Sequence, residues 1–138
     1  MIYLVDDDMD DLELVQEALH RTGFQGQLAC ANNGEDFLVK LHLSKAPALI
    51  VLDLNMPLKD GFEVLKELKT TNFSVVPVVI LTASHNKQDE KRCFELGCNL
   101  FLRKPSTLEE YDSIAIILME FLRNYKGNES TIIETPEG

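Results

Sequence analysis

Basic residues are scarce in this 138-residue sequence. Lysine and arginine together number 13 against 23 aspartate and glutamate residues, which gives a formal net charge of −10. A nucleic-acid surface needs clustered positive side chains to neutralise phosphates, so this composition argues against nucleic acid as a partner. Long apolar runs are also missing, and none reaches the roughly 18 residues that suggest a membrane span. We therefore expect partners other than nucleic acid or membrane.

Cysteine is rare, and the N-terminus lacks a secretory signal, which would combine a basic stretch, an apolar segment and a small-residue cleavage site. The three cysteines are Cys30, Cys93 and Cys98. An odd number of cysteines without a signal sequence predicts a cytoplasmic location. Cys93 and Cys98 are more widely spaced than the tight pair of a zinc site, so we interpret all three as small apolar side chains in or near the core. The histidines have no ligand spacing and are predicted at the surface: His20, His42 and His85.

Short apolar runs alternate with segments of helical period. The apolar runs stand at residues 2–5, 28–31, 49–52, 76–81 and 100–102. Helical spacing of apolar residues follows each run, at about 12–23, from 33–34 onward, at 62–68, at 87–96 and at 107–125. Five strands alternating with five helices predict an α/β fold with a parallel sheet. The runs are apolar throughout, which indicates that helices cover both faces of the sheet.

The end of the last predicted helix sets the domain boundary. We predict one folded domain over residues 1–125, because the chain length fits a single domain. Residues 126–138 lose the helical period and are predicted to be a flexible C-terminal tail. The last helix has a wide apolar face, with Ile116 and Met119 outside its core stripe. That face is either a partner surface or one side of a plain buried helix.

Polar side chains stand where the predicted strands end. The first strand is followed by Asp6-Asp7-Asp8, the third by Asp53 and the fifth by Lys104, while the fourth ends in Thr82. In a parallel sheet these positions share the C-terminal edge, where ligands of open α/β sheets bind. Two carboxylates 4 Å apart repel by about 4 kcal/mol at an effective dielectric near 20. Either some are protonated or a cation lies among them, and oxygen ligands favour Mg²⁺.

This arrangement suits phosphoryl chemistry. A carboxylate held by Mg²⁺ can act as a nucleophile toward phosphorus, and a lysine and a hydroxyl could contact the phosphoryl oxygens. Each residue also has a simpler interpretation. The acids at 6–8 and 10–11 could only cap the first helix, Asp53 could be a turn residue, and a lone lysine is usually solvated. The joint arrangement carries the prediction.

Four segments in order resemble the response-regulator receiver family of two-component signalling. They are LVDDD (4–8), IVLDLNMPLKDGFEVL (50–65), VVILTAS (78–84) and FELGCNLFLRKP (94–105). The resemblance runs from residue 1 to about 125. It implies a (βα)5 flavodoxin-like receiver fold with strand order 2-1-3-4-5, as in the chemotaxis response regulator. Within the family, the chain resembles the stand-alone receivers that pair with phytochrome-type histidine kinases.

The resemblance also implies a role for each acid at the sheet edge. Asp53 would be the phosphoacceptor. Asp7 would bind Mg²⁺ directly, and Asp6 would bind it directly or through water. Asn55 would supply its backbone carbonyl to the metal. The resemblance leaves the role of the third acid, Asp8, open.

The remaining implied roles concern the switch and the loops. Thr82 and Lys104 would contact the phosphoryl group, and Phe101, in place of the commoner tyrosine, would change rotamer when Thr82 moves. The Lys104–Pro105 bond would be cis, which proline permits. The loop after Asp53 would be shaped by Met56-Pro57 and by Gly61, with a positive φ at the glycine.

The expected function is a phosphorylation-activated switch. A sensor histidine kinase, a phosphotransfer protein or a small phosphodonor would supply the phosphoryl group to Asp53. The surface of helix 4, strand 5 and helix 5 would then change and bind a downstream protein or a second copy of the chain. No DNA-binding or catalytic domain is predicted after residue 125. The chain would not be an enzyme beyond its own phosphoryl transfer and autodephosphorylation.

Two alternatives remain open. One is a small Mg²⁺-dependent aspartyl-phosphate phosphatase, which would use an acid two residues after its nucleophile. That position holds Asn55, which cannot donate a catalytic proton. The other is a receiver-like interaction module that is never phosphorylated.

Overall fold

The predicted alternation of strands and helices is confirmed by the computed structural model, which describes residues 1–84 and 86–125. The strands are β1 Ile2–Val5, β2 Leu28–Ala31, β3 Leu49–Leu52, β4 Val78–Thr82 and β5 Leu100–Arg103. The helices are α1 Met9–Arg21, α2 Gly34–His42, α3 Gly61–Leu68, α4 Lys87–Glu95 and α5 Leu108–Asn124. The predicted tail at 126–138 and the surface position of His85 lie outside the described residues.

The sheet has the expected order β2-β1-β3-β4-β5, and every neighbouring pair is parallel. Val5 pairs with both Ala31 and Leu52, so β1 and β3 end at the same level. The chain enters the sheet at β1 and later returns on its other side with β3. The strand order therefore reverses next to β1, and a crevice opens beyond the ends of β1 and β3, where such folds bind ligands.

Two hydrophobic clusters cover the two faces of the sheet. Successive strand residues point to opposite faces, so Leu4 and Val51 lie under α1 and α5, whereas Val5 and Leu52 lie under α2, α3 and α4. Residues of the α1 and α5 helices in the first cluster include Val15, Ala18, Leu19, Ala115 and Leu118. The helix residues of the second cluster include Phe37, Leu41, Val64, Leu68 and Cys93. This two-sided burial explains why the strand segments are apolar throughout.

Side chains that accept hydrogen bonds begin each helix. Thr107 caps α5, and Asp60 with Glu63 forms a capping box at α3. The α4 helix ends before Gly97, whose φ of 102° suits a residue without Cβ. Cys93 and Cys98 are buried and Cys30 is half-buried, as predicted for small side chains in or near the core, and all three are free thiols. None of the helices among the described residues is long and apolar enough to cross a membrane.

Candidate functional site

The carboxylates predicted at the sheet edge do converge. Asp6 follows β1 directly and Asp53 follows β3 directly, and both are buried, whereas Asp7 is exposed. One oxygen of each of these three residues lies within 4.8 Å of the others. Asp6 and Asp53 continue the alternation of the strands toward the α1 and α5 face, which explains why they meet. A set of hard oxygen donors with excess negative charge fits a divalent cation.

Lys104 joins this carboxylate cluster from the end of β5. Its Nζ lies 2.8 Å from Asp6 Oδ2, 2.8 Å from Asp11 Oδ2 and 3.2 Å from Asp53 Oδ2. Burial alone would lower the pKa of the ammonium, but the hydrogen bonds to Asp11 and Asp6 and the charge of Asp53 raise it above its usual value. Lys104 therefore stays positively charged across the physiological range.

One ammonium does not neutralise all these acids. Burial raises the pKa of Asp6 to about 7, against the opposing effects of the hydrogen bond from Lys104 and of the Asp8 amide. That amide donates to Asp6 Oδ1 at 3.0 Å. The nearby charge of Asp53 raises the pKa of Asp6 further. The site consequently disfavours full ionisation unless additional positive charge is present.

The loop after Asp53 is held close to the carboxylate. Asp53 Oδ1 accepts a hydrogen bond from the Leu54 amide at 2.8 Å, and the Leu54 carbonyl accepts one from Gly61 at 2.9 Å. Between them, Lys59 N donates to Pro57 O at 2.8 Å across Leu58, whose φ is 69°. This arrangement is a strained γ-turn.

The prediction of a positive φ at Gly61 is wrong, because the glycines with positive φ in the described chain are Gly23 and Gly97. Glycine is needed here for a different reason. A Cβ at Gly61 would lie 2.5 Å from the Asp53 carbonyl oxygen and 2.8 Å from Leu54 Cα. Close backbone approach therefore excludes a side chain at this position, and the left-handed conformation falls at Leu58 instead.

Thr82 and Phe101 lie on the opposite face of the sheet from Lys104. Thr82 is completely buried at the end of β4 and pairs with Arg103, so it is diagonal to Phe101 on the same face. Phe101 is half-buried and packs against the hydrophobic cluster under α2, α3 and α4. Thr82 and Lys104 thus approach the end of β3 from opposite faces. Asn55 is exposed, two residues beyond Asp53.

The prediction of a cis bond between Lys104 and Pro105 is wrong, because the described residues contain no cis peptide. The trans form is the lower-energy form even before proline. Lys104 N donates to Thr82 O at 2.8 Å, which extends the β4–β5 ladder by one residue. That bond places the lysine at the sheet edge.

The role of Asp11 was not predicted from the sequence, where the acids around the start of the first helix look alike. The structure separates them: Asp8 is the N-cap of α1, and Asp11 points inward to Lys104. The Tyr111 hydroxyl faces the other oxygen of Asp11 at 3.5 Å. A signal was present, because Asp11 stands four residues before Val15 on the buried stripe of α1. An acid on a core stripe indicates a buried partner.

The comparisons with known proteins agree with this geometry. The family model of the response regulator receiver domain matches residues 2–115, and the chain belongs to that family. Receiver domains of response regulators are phosphorylation-activated switches of two-component systems, and they act with histidine kinases or phosphotransfer proteins.

The relatives found include phytochrome response regulators, as the subfamily resemblance predicted. Response regulator Rcp1 of Synechocystis is 38% identical over 117 residues, which is 80% of each chain. The crystal structure of the phosphorylated cyanobacterial phytochrome response regulator RcpA matches with a TM-score of 0.84 and 31% identity, over 93% of this chain and 97% of RcpA. The Mn²⁺-bound form of Rcp1 matches with a TM-score of 0.81 and 34% identity, over 93% and 98%. Several further relatives are longer proteins, and this chain spans 29% to 48% of their length.

Proposed function

We propose that this chain is a two-component switch in which Asp53 accepts a phosphoryl group in a Mg²⁺-dependent reaction. The observation that carries the proposal is the convergence of oxygens from Asp6, Asp7 and Asp53 within 4.8 Å, with Lys104 3.2 Å from Asp53. Asp53 is buried at the point where strand order reverses, and the Leu54 amide orients its carboxylate. A fixed carboxylate beside positive charge is suited to attack on phosphorus.

The proposed cation is Mg²⁺, held by the carboxylates of Asp6, Asp7 and Asp53 with the backbone carbonyl of Asn55. The donors are oxygens only, which suits Mg²⁺, and the Mn²⁺-bound form of Rcp1 has a related fold. When bound, the ion would offset negative charge on the carboxylates and on the phosphoryl oxygens. Lys104 would redirect one N–H hydrogen bond from Asp53 to a phosphoryl oxygen. The Thr82 hydroxyl would donate a hydrogen bond to the phosphoryl group from the other face of the sheet.

The proposed readout runs through Thr82 and Phe101 toward α4, β5 and α5. Movement of Thr82 would leave space for the diagonal Phe101 ring to turn inward. Helix α4 has one buried residue, Cys93, so little apolar packing opposes its displacement. On α5, Ile116 is 44% exposed and Met119 is half-buried. This surface would bind a downstream protein or a second copy of the chain.

The proposed donors are a sensor histidine kinase or a phosphotransfer protein, and the only reactions catalysed would be phosphorylation of Asp53 and its reversal by hydrolysis. The alternative phosphatase would need a proton donor two residues after the nucleophile. Asn55 occupies that position and is exposed. The geometry therefore favours a phosphorylated intermediate that persists.

The test is incubation with acetyl phosphate and Mg²⁺ followed by intact mass measurement. We expect the wild type and Asp10→Asn to gain one phosphoryl group, and Asp53→Asn to gain none. No gain by the wild type would favour an interaction module that is never phosphorylated. Steady turnover of a generic phosphate ester would favour the phosphatase.

A further inference from the structure

Lys104 is shared between the proposed phosphoacceptor and an acid on α1. Asp11 lies in the first turn of α1, with its side chain 23% exposed. Its Oδ2 is 2.8 Å from Lys104 Nζ, closer than the 3.2 Å between that nitrogen and Asp53 Oδ2. On the other side, the Tyr111 hydroxyl of α5 faces Asp11 Oδ1 at 3.5 Å. Asp11 is therefore fixed between the lysine and α5.

The ammonium has no donor to spare. Lysine carries three N–H donors, and three carboxylates surround Nζ at 2.8 to 3.2 Å. A phosphoryl group arriving at Asp53 brings further negative charge to the same nitrogen. Asp11 lies outside the candidate metal site of Asp6, Asp7 and Asp53, and it is not the proposed phosphoacceptor. Its charge nevertheless offsets part of the positive charge of Lys104, which would attract the incoming phosphoryl group.

We propose that Asp11 is a positioning residue that restrains the phosphorylation of Asp53: it holds Lys104 and weakens its attraction for an anionic phosphodonor. The inference rests on the proposed function. With acetyl phosphate, the Asp53 carboxylate forms a bond to phosphorus while the bond from phosphorus to the acetyl oxygen breaks. Acetate leaves with the electron pair, and no proton is transferred.

The size of the effect follows from distance. The Asp11 and Asp53 oxygens contact the same nitrogen, so they are about 6 Å apart at most. At that separation, removing one unit of like charge changes a rate by about threefold at a dielectric of 80 and about a hundredfold at 20. Partial exposure of Asp11 favours the lower part of that range. We expect phosphorylation to become about three- to tenfold faster when the Asp11 charge is removed.

The experiment measures the rate of phosphoryl incorporation by intact mass with acetyl phosphate and Mg²⁺. Asp11→Asn removes the charge but keeps an oxygen that can accept from Lys104. Asp10→Asn makes the same change of net charge on the same helical turn, at an exposed side chain. Asp11→Glu keeps the charge. We expect acceleration in Asp11→Asn alone, with the other two variants within about twofold of the wild type.

The outcomes are separable. Incorporation by the wild type at an unchanged or lower rate in Asp11→Asn overturns this inference and leaves the proposed function intact. Equal acceleration in Asp10→Asn also overturns it, because the effect is then general to net charge. No incorporation by the wild type overturns the proposed function and this inference with it. Cooperative thermal unfolding and circular dichroism establish that each variant is folded, and a purely structural role for Asp11 would give no acceleration.

Discussion

Replacing Asp6 by asparagine is expected to stabilise the protein without metal and to remove the stabilisation that Mg²⁺ confers. The reason is the pKa of Asp6, which burial raises from 3.8 to about 7. A carboxyl whose pKa is higher in the folded state binds protons more tightly there, so ionisation opposes folding. The penalty is absent below pH 3.8, grows between pH 3.8 and 7, and is complete above pH 7.

The magnitude follows from the shift in pKa. A shift from 3.8 to about 7 corresponds to at most about 4 kcal/mol at 1.36 kcal/mol per unit. The side chain is buried but still 10% exposed, so water can partly solvate the charge, and we expect about 1–3 kcal/mol. For a chain of this size, each kcal/mol moves the melting temperature by about 3–5 °C. Asp6→Asn should therefore melt about 3–15 °C higher than the wild type at pH 8 in a chelator.

The assay is thermal unfolding at pH 8 and pH 5, in a chelator and in a Mg²⁺ titration, with Asp10→Asn as the control of equal charge change. The advantage of Asp6→Asn should be smaller at pH 5 than at pH 8. At ten times its dissociation constant, Mg²⁺ should stabilise the wild type by about 1.4 kcal/mol and the variant by much less. A variant less stable than the wild type at pH 8 in the chelator would refute the reasoning, since the carboxylate would then contribute favourably without metal.

Three further substitutions test the loop and the lysine. Gly61→Ala should lower the free energy of unfolding in urea by about 2 kcal/mol or more, because its Cβ would meet backbone atoms. Gly26→Ala is the control, since the three atoms nearest to its Cβ belong to the movable Phe24 ring. Leu58→Gly should raise the free energy of unfolding by about 1 kcal/mol, because glycine adopts the positive φ of this position without strain. A lower free energy of unfolding in urea would contradict a strained turn. Lys104→Met should lower the free energy of unfolding by about 3–5 kcal/mol in a chelator at pH 8, because the buried carboxylates lose their positive partner. Mg²⁺ should restore part of that loss, and an unchanged melting temperature in the chelator would disprove the prediction.

The fold class could be predicted because local patterns of apolar residues indicate the strands and the helices. Apolar runs such as 49–52 differ in period from the helices that follow, and these periods separate strands from helices. The residues after β1 and β3 were also identifiable, because strand direction alone brings Asp6 and Asp53 to one edge. Strand order came from family resemblance, since local periods do not fix which strands are neighbours.

The errors concern features that depend on tertiary distances. Gly61 needs its small size because the Asp53 carbonyl approaches it, and no local pattern distinguishes that cause from a positive φ. The Lys104–Pro105 isomer was implied by the family resemblance, because a bond before proline permits either form. For Asp11 the sequence suggested capping of the first helix as the simpler interpretation and nothing more specific, because its partner, Lys104, is distant in sequence. Each case requires knowledge of which atoms meet across the fold.

The helices on the two faces of the sheet differ in how firmly they would be held in the proposed switch. Asp53 and Lys104 belong to the face of α1 and α5, and Thr82 belongs to the face of α4. The α5 helix has five buried residues, whereas α4 has one. The helix beside the carboxylates is therefore firmly packed, and the helix on the other face is not. A phosphoryl group added at Asp53 would therefore meet a rigid helix, α5, on one face of the sheet and a helix that can be displaced, α4, on the other face. The asymmetry of burial, more than the site itself, gives the direction in which a phosphoryl signal would travel.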